Sequence, residues 1–323
     1  MREVYKNIFL EELSLPNNPL KYLNFFIIKG KDRSMVVDCG FNIEETRERM
    51  LEIFEKHSLD FNNTILYLTH LHSDHVGLSS FLQERGVEVY ISKIDGDIVN
   101  SPDQQWAKVY ENAMFQGLAE DNFKIEEHPG YKYAITDRLE YTEAVVGEYI
   151  DIGDFRFEII DLSGHTPGMT GLYEREHKIL FCGDHILFKI TPNITFWGFE
   201  YGDSLGTYLD NLDKVYDMDI EHLFSSHRAL LSDHRKRIDE LKLHHEKRLQ
   251  EVRKALNMKE YSSVRDVTKN MHWEIKSRNF DEFPQSQKSF ATGEAHAHLE
   301  HLRNLGEVDY IQKDEKLYYY LKG

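Results

Sequence analysis

The chain has 323 residues, about two domains' worth, because a single hydrophobic core stops growing at roughly 300 residues. Its 39 Lys+Arg against 56 Asp+Glu leave a net charge of −17, which argues against a nucleic-acid duplex as the default partner. Cys39 and Cys182 lie in apolar strand-like runs, so no disulfide framework is expected and a reducing, cytoplasmic compartment fits; Met1–Leu15 lacks the apolar stretch of a signal peptide, and no run suggests a membrane span.

Taken in chain order, Asn24–Gly30 and Ser34–Val37 read as strands joined by the polar turn Lys31-Asp32-Arg33. A helix follows, with Asn42 placed to cap it, Glu45 three residues on, and Ile43, Met50 and Phe54 on one face. Thr64–Leu68 and Val87–Ile91 continue a strand-helix-strand alternation. From about Gly96 to Val146 the chain turns polar and aromatic without a strand period, which reads as an insertion. Strands resume at Tyr149–Ile152 and Phe155–Asp161, where Phe155, Phe157 and Ile159 alternate with Arg156 and Glu158. Gly171–Tyr173, Ile179–Cys182 and His222–Ser225 follow, with Leu205, Tyr208, Leu209, Leu212 and Val215 striping a helix between the last two. Beyond His227 the pattern becomes helical: a long amphipathic helix around Ile238–Leu256, a second from near Ser263, and a third over about Phe290–Leu305 ended by Gly306. A hairpin, Val308–Ile311 with Leu317–Leu321, closes the chain and suggests a winged-helix-like module. The expected domains are therefore 1–230, with the insertion at about 96–146, and 231–323.

The 17 histidines justify a search for a metal site, since imidazole is the commonest metal ligand. In Thr69-His70-Leu71-His72-Ser73-Asp74-His75, four imidazole or carboxylate groups crowd within six residues at a strand end. His70 and His72, two apart, share a side in extended backbone, while Asp74 and His75 lie past the turn and can face a second ion. Neither half-set is complete, because such a metal needs at least three protein ligands. His165, Asp184 and His227 each end a later strand, and loops beyond strand ends form the active-site rim of layered α/β folds.

Thr-His-x-His-x-Asp-His, then Gly164-His165-Thr166-Pro167-Gly168, then Gly183-Asp184, then a strand-terminal His227, in this order, resembles the metallo-β-lactamase superfamily, and most its glyoxalase II-like hydrolase branch. Val36-Val37-Asp38-Cys39-Gly40 resembles that superfamily's early strand. The similarity covers about residues 20–230, and the tail resembles β-lactamase-like hydrolases carrying a C-terminal winged-helix domain. This resemblance implies an α/β fold of the αββα sandwich type. It also implies two divalent metal ions per chain, zinc first with iron or manganese fitting the same donors, one held by His70, His72 and His165, the other by Asp74, His75 and His227, and Asp184 bridging. Near its last histidine the family more often carries glycine, where this chain has Ser225-Ser226 and Arg228.

The expected chemistry is hydrolysis of an ester, thioester or lactone by a metal-bridging hydroxide, with Asp74 both a ligand and the catalytic group that orients it. Thr69, Ser73 and Thr166 are expected to fix imidazole tautomers. The alternatives are a metal-dependent nuclease, an iron-dependent dioxygenase of the persulfide type, and a nucleic-acid-binding regulatory protein with a metal-sensing site. From Met258 onward 10 Lys+Arg face 11 Asp+Glu, which lacks the basic footprint of a nucleic-acid reader. A small-molecule substrate is the expected partner, with packing, pocket rimming or homodimer formation as the expected work of the tail. His185, His244 and His245 are expected to be packing or surface residues.

Overall fold

The computed structural model describes residues 2–135 and 137–322, and its chain gathers into two units. The first comprises the chain up to Pro102, Tyr133–Pro192 and Lys214–His234; the second comprises Asp103–Lys132, Asn193–Asp213 and the chain from Arg235 onward.

Seven strands line up in chain order in the larger sheet of the first unit: β1 (Arg2–Tyr5), β2 (Ile8–Ser14), β3 (Tyr22–Lys29), β4 (Ser34–Val37), β5 (Thr64–Tyr67), β6 (Glu88–Ile91) and β7 (Thr142–Glu143). Hairpin-linked neighbours β1 to β4 pair antiparallel; β4 to β7 pair parallel, because each connection among them carries helix. The second sheet holds β8 (Tyr149–Ile152), β9 (Phe155–Asp161), β10 (Thr170–Glu174), β11 (Ile179–Gly183) and β12 (His222–Ser225) in the order β12-β11-β10-β9-β8. β5, β10 and β11 are buried at every position, as strands covered on both faces must be.

The two sheets meet face to face. Phe26, Ile28, Val37 and Tyr67 from the larger one share a core with Phe157, Ile159, Leu172, Phe181 and Phe224 from the smaller one. The Phe181 ring lies 5.2 Å from that of Phe26 and 5.0 Å from that of Phe224, both within the range of favourable aromatic pairs. This is the expected α/β arrangement.

Ten helices complete the described chain: α1 (Glu44–Lys56), α2 (Ser73–Val76), α3 (Ser79–Gln83), α4 (Lys93–Val99), α5 (Pro102–Phe115), α6 (Pro129–Lys132), α7 (Ser204–Asp217), α8 (His234–Leu256), α9 (Val264–Lys269) and α10 (Gln285–Asn304). Asn42 does not cap α1. Its side-chain oxygen instead accepts from Arg47 at 2.9 and 2.7 Å, and the helix begins after an extended Ile43. α10 starts five residues before the expected Phe290, directly after Pro284, whose fixed φ suits a helix start.

In the second unit a small sheet, β13 (Ser262–Ser263), β15 (Lys316–Leu321) and β14 (Val308–Lys313) in that order, packs with α9 and α10. Ser263 and Asp266 form a reciprocal capping box at the start of α9. Asp314 and Glu315 turn the β14–β15 hairpin with φ of 49° and 61°, the conformation that matches strand twist in a two-residue loop. Part of the expected insertion belongs to this unit. Asp121 takes a two-pronged bond from Arg265 of α9, at 2.5 and 2.9 Å, and a third contact at 2.8 Å from Lys288 of α10. Ala113 and Leu118 pack with Phe280 and Phe283. Among the described residues no helix is long and apolar enough to cross a membrane.

Candidate metal centre

Four loops at strand ends of the first unit carry the seven residues singled out by the sequence. The chain leaves β5 at Tyr67 and bends through Thr69–Leu71, so His70 and His72 do not continue the strand; His72 is extended, and the single turn of α2 then turns Asp74 and His75 to a second side. His165 lies between β9 and β10, Asp184 directly follows β11, and His227 stands two residues beyond β12. His70, His75 and His227 are 0 % exposed.

All seven converge. Three sets of side chains, His70–His72–His165, His70–His75–Asp184 and Asp74–His75–His227, each bring their ligand atoms within 4.8 Å of one another. His72 Nδ1 lies 3.1 Å from His70 Nε2 and 3.0 Å from His165 Nε2. Three imidazole nitrogens this close cannot all be satisfied by one another's protons, whereas a cation with bonds of about 2.0–2.1 Å in tetrahedral geometry holds its ligands roughly 3.3 Å apart. Asp184 stands between the sets, its carboxylate 3.7 Å from His75 Nε2, 3.7 Å from His165 Nε2 and 3.4 Å from His227 Nε2. His75 Nε2, His227 Nε2 and Asp184 Oδ1 are buried without a hydrogen-bond partner, an expensive state unless a cation takes their lone pairs. The donor set therefore fits divalent metal.

Electrostatics divide the cluster. Burial pushes His70 well below the usual imidazole range, helped by His75 and His72, and burial with the neighbouring His165 pushes His72 to about 3. Both rings are uncharged at neutral pH and have a lone pair to offer. For His75 burial acts the same way, but Asp38, Asp74 and Asp184 outweigh it and hold the ring well above its ordinary range; Asp184 and Asp74 likewise raise His227. Burial would raise the Asp74 carboxyl, yet His75 and His227 hold it at about 2, and His227 and His75 hold Asp184 lower still.

Three imidazoles, those of His70, His75 and His227, have a partner behind the ring. Thr69 Oγ1 meets His70 Nδ1 at 3.0 Å, as expected of that residue. His227 Nδ1 donates to the Tyr22 carbonyl at 3.0 Å, and His75 Nδ1 lies 2.8 Å from Asp38 Oδ2. Asp38, a residue the sequence offered only as part of a strand motif, also accepts from the Thr69 N–H at 2.8 Å and from Ser226 Oγ at 3.1 Å. Thr166 departs from expectation: its hydroxyl donates to Asp95 at 2.7 Å and not to an imidazole. Asp95 also had no signal in the sequence, because it opens a polar stretch that reads as surface.

The loop carrying His227 solves the missing-glycine problem directly. Arg228 adopts φ of 68°, a left-handed conformation that glycine takes without strain. Asn24 secures it, its side chain donating to the Ser225 and Arg228 carbonyls, each at 2.9 Å. His185 is fully buried beside Asp184 and belongs to none of the three ligand sets.

A Metallo-beta-lactamase superfamily model matches residues 20–227. Hydroxyacylglutathione hydrolase GloC of Haemophilus influenzae is 35 % identical over 155 residues, which cover 48 % of this chain and 61 % of that protein. Acyl-coenzyme A thioesterase MBLAC2 of Gallus gallus is 22 % identical over 167 residues, covering 50 % of this chain and 56 % of that one. The match thus spans about three fifths of the length of these relatives. A metallo-beta-lactamase family protein from Thermus thermophilus superposes with a TM-score of 0.80 at 22 % identity, over 99 % of this chain and 100 % of that one, a likeness of fold. Through the match over residues 20–227, which contains every one of the converging side chains, the chain belongs to the metallo-beta-lactamase superfamily.

Proposed function

We propose that this protein is a dinuclear metal-dependent hydrolase of thioesters, with esters and lactones as weaker substrates. The observation that carries the reading is the position of Asp184 between two three-ligand sets, which leaves one carboxylate within reach of both. In this reading His70, His72 and His165 would hold one ion and Asp74, His75 and His227 the other, with Asp184 within reach of both. Zinc is the first expectation. When bound, such a pair of ions supplies Lewis-acid polarisation of a carbonyl and acidifies water toward neutral pH.

The chain's own groups decide what leaves. Asp74, held at about 2, is a carboxylate at neutral pH and acts as an acceptor that orients the attacking water and takes its proton. Asp184 is held ionised as well, so the only proton these carboxylates can pass to a leaving group is the one Asp74 takes from water. A thiolate, with a parent pKa of about 8.5, departs without it, whereas an alkoxide needs it. The relatives named for hydroxyacylglutathione hydrolysis and acyl-coenzyme A thioester cleavage point the same way. The near-neutral tail is proposed here as a winged-helix-like module and is not assigned to nucleic-acid binding.

The test pairs metal analysis with a substrate panel. Two ions per chain and a kcat/KM for thioesters at least tenfold above that for matched esters are expected. Metal-dependent cleavage of RNA with no thioesterase activity would replace this reading with the nuclease one.

A further inference from the structure

We infer that Asp95 is the positioning residue of the His70–His72–His165 half-site, one carboxylate that clamps the two loops from which all three imidazoles project. The inference rests on the proposal that those imidazoles hold a metal ion, and it concerns a residue outside all three ligand sets.

Asp95 is 0 % exposed and sits in the first turn of α4, whose cap Ser92 accepts from the Asp95 N–H at 3.3 Å. Its Oδ2 accepts from the Leu71 N–H at 2.9 Å and from the Thr166 hydroxyl at 2.7 Å, while Oδ1 accepts from the Gly168 N–H at 2.8 Å. The donors are the telling feature. Leu71 is bonded in the chain to both His70 and His72, and Thr166 directly follows His165. Every ligand of this half-site is therefore one residue from an atom that Asp95 holds, although β5 and β9 belong to different sheets.

Only a carboxylate does this. Three donors converge on two oxygens that between them offer about four lone-pair sites and carry no hydrogen. An amide of the same shape must turn its NH2 toward either the Gly168 N–H or the Leu71 and Thr166 pair, setting donor against donor. A buried carboxylate held by these neutral donors is otherwise costly to keep, and a merely structural site would favour an uncharged residue.

The close approach also accounts for the last glycine of Gly164-His165-Thr166-Pro167-Gly168. A Cβ on Gly168 would lie 2.4 Å from Ser92 Oγ and 2.7 Å from Asp95 Oδ1, so any side chain there pushes the clamp apart. Positioning groups behind metal ligands are worth about 10- to 100-fold in metal affinity.

The experiment is a cobalt(II) titration of the metal-free full chain, followed by absorption and by competition with a chelator, on wild type, Asp95→Asn and Thr166→Val. Asp95→Asn is expected to weaken one of two sites by about 10- to 100-fold and leave the other within twofold of wild type; Thr166→Val, which removes one of three donors and keeps the carboxylate, should weaken the same site less. Two double variants identify that site. In a His227→Ala background, Asp95→Asn should weaken binding of the remaining ion by the same factor of about 10 to 100, and in a His72→Ala background it should change nothing. Equal weakening of both sites, or wild-type affinity at both in Asp95→Asn, overturns the inference. If Asp95→Asn fails to fold, Thr166→Val decides: selective weakening supports the clamp and wild-type binding overturns it. A wild-type chain that binds no metal removes the underlying reading instead, a result distinct from either.

Discussion

Asp38 Oδ2 lies 2.8 Å from His75 Nδ1, with both side chains buried to within 1 % of completely. The pairing fixes which nitrogen of His75 faces the other ligands, because a proton on Nδ1 shared with the carboxylate leaves Nε2 to point inward. Asp38 stands at φ of 60°, strained for a residue with a side chain, and is held there by Thr69 and Ser226. Replacing it with alanine is expected to lower metal affinity at the Asp74–His75–His227 set by about 10- to 100-fold, and less at the other set, which it reaches only through Thr69 and His70. A zinc titration in which both sites keep wild-type affinity removes Asp38 from this role.

Single ligand substitutions should separate the half-sites. His72→Ala and His227→Ala each belong to only one three-ligand set, so each is expected to reduce a two-ion chain to one ion. Both should also lower the melting temperature in saturating metal, because an ion that binds only the folded state stabilises it by mass action. Elemental analysis of metal-replete protein that finds one ion in wild type sinks the dinuclear version.

Asp74→Asn keeps the side chain's shape and removes its charge. Turnover is expected to fall by about 10²- to 10⁴-fold, with a far-UV spectrum indistinguishable from wild type, since a proton acceptor is lost and no core contact is. Steady-state kinetics on the metal-loaded variant decide it, and near wild-type kcat would exclude Asp74 from proton transfer.

The second unit carries its own pH signature. Glu294 is largely buried; burial raises its carboxyl, but His244, whose Nε2 lies 3.9 Å away, and the charge of Arg248, whose Nε lies 3.0 Å away, hold it at about 2 against an ordinary 4.5. Its folded pKa is depressed, so the unfolded chain binds the proton more readily between those values. The stabilisation, on the order of 3 kcal/mol, is therefore fully present above pH 4.5 and is lost as pH falls toward 2. Glu294→Gln should melt below wild type at neutral pH, and the gap should close on acidification. A gap constant from pH 7 to pH 3 contradicts this account.

Phe181 tests the sheet interface. It is 1 % exposed and packs with Phe26, Phe157 and Phe224, so Phe181→Ala is expected to cost about 3–5 kcal/mol of stability. Chemical denaturation measures it, and a loss under 1 kcal/mol would mean the two sheets do not depend on this ring.

Chemistry-bearing residues with a local pattern were legible without coordinates. Thr69 to His75 is dense enough that no packing requirement explains it, and His165, Asp184 and His227 each follow a strand whose apolar run marks its end. The alternation in β9 and the stripe of α7 needed only side-chain periodicity. The first two strands escaped notice because Ile8–Ser14 mixes apolar residues with Glu11 and Glu12; Glu11 is buried only because Arg49, Lys56 and His57 reach it from α1 and its end.

What sequence determined by itself is therefore the set of seven side chains that converge and most of the elements, because residue spacing and hydrophobic period are properties of short windows. Beyond Thr69, tertiary structure alone decided which groups stand behind the converging imidazoles and their loops. Asp38 meets His75 across 37 residues and Asp95 meets Thr166 across 71, and these pairings exist only once both sheets have formed and packed. It also decided that Asp121 joins Arg265 and Lys288, separations of 144 and 167 residues, so that a polar stretch with no period of its own becomes part of the second unit. Burial removes water as the competing partner, and a carboxylate then takes whichever donors the fold brings within reach, an outcome no local window of sequence encodes.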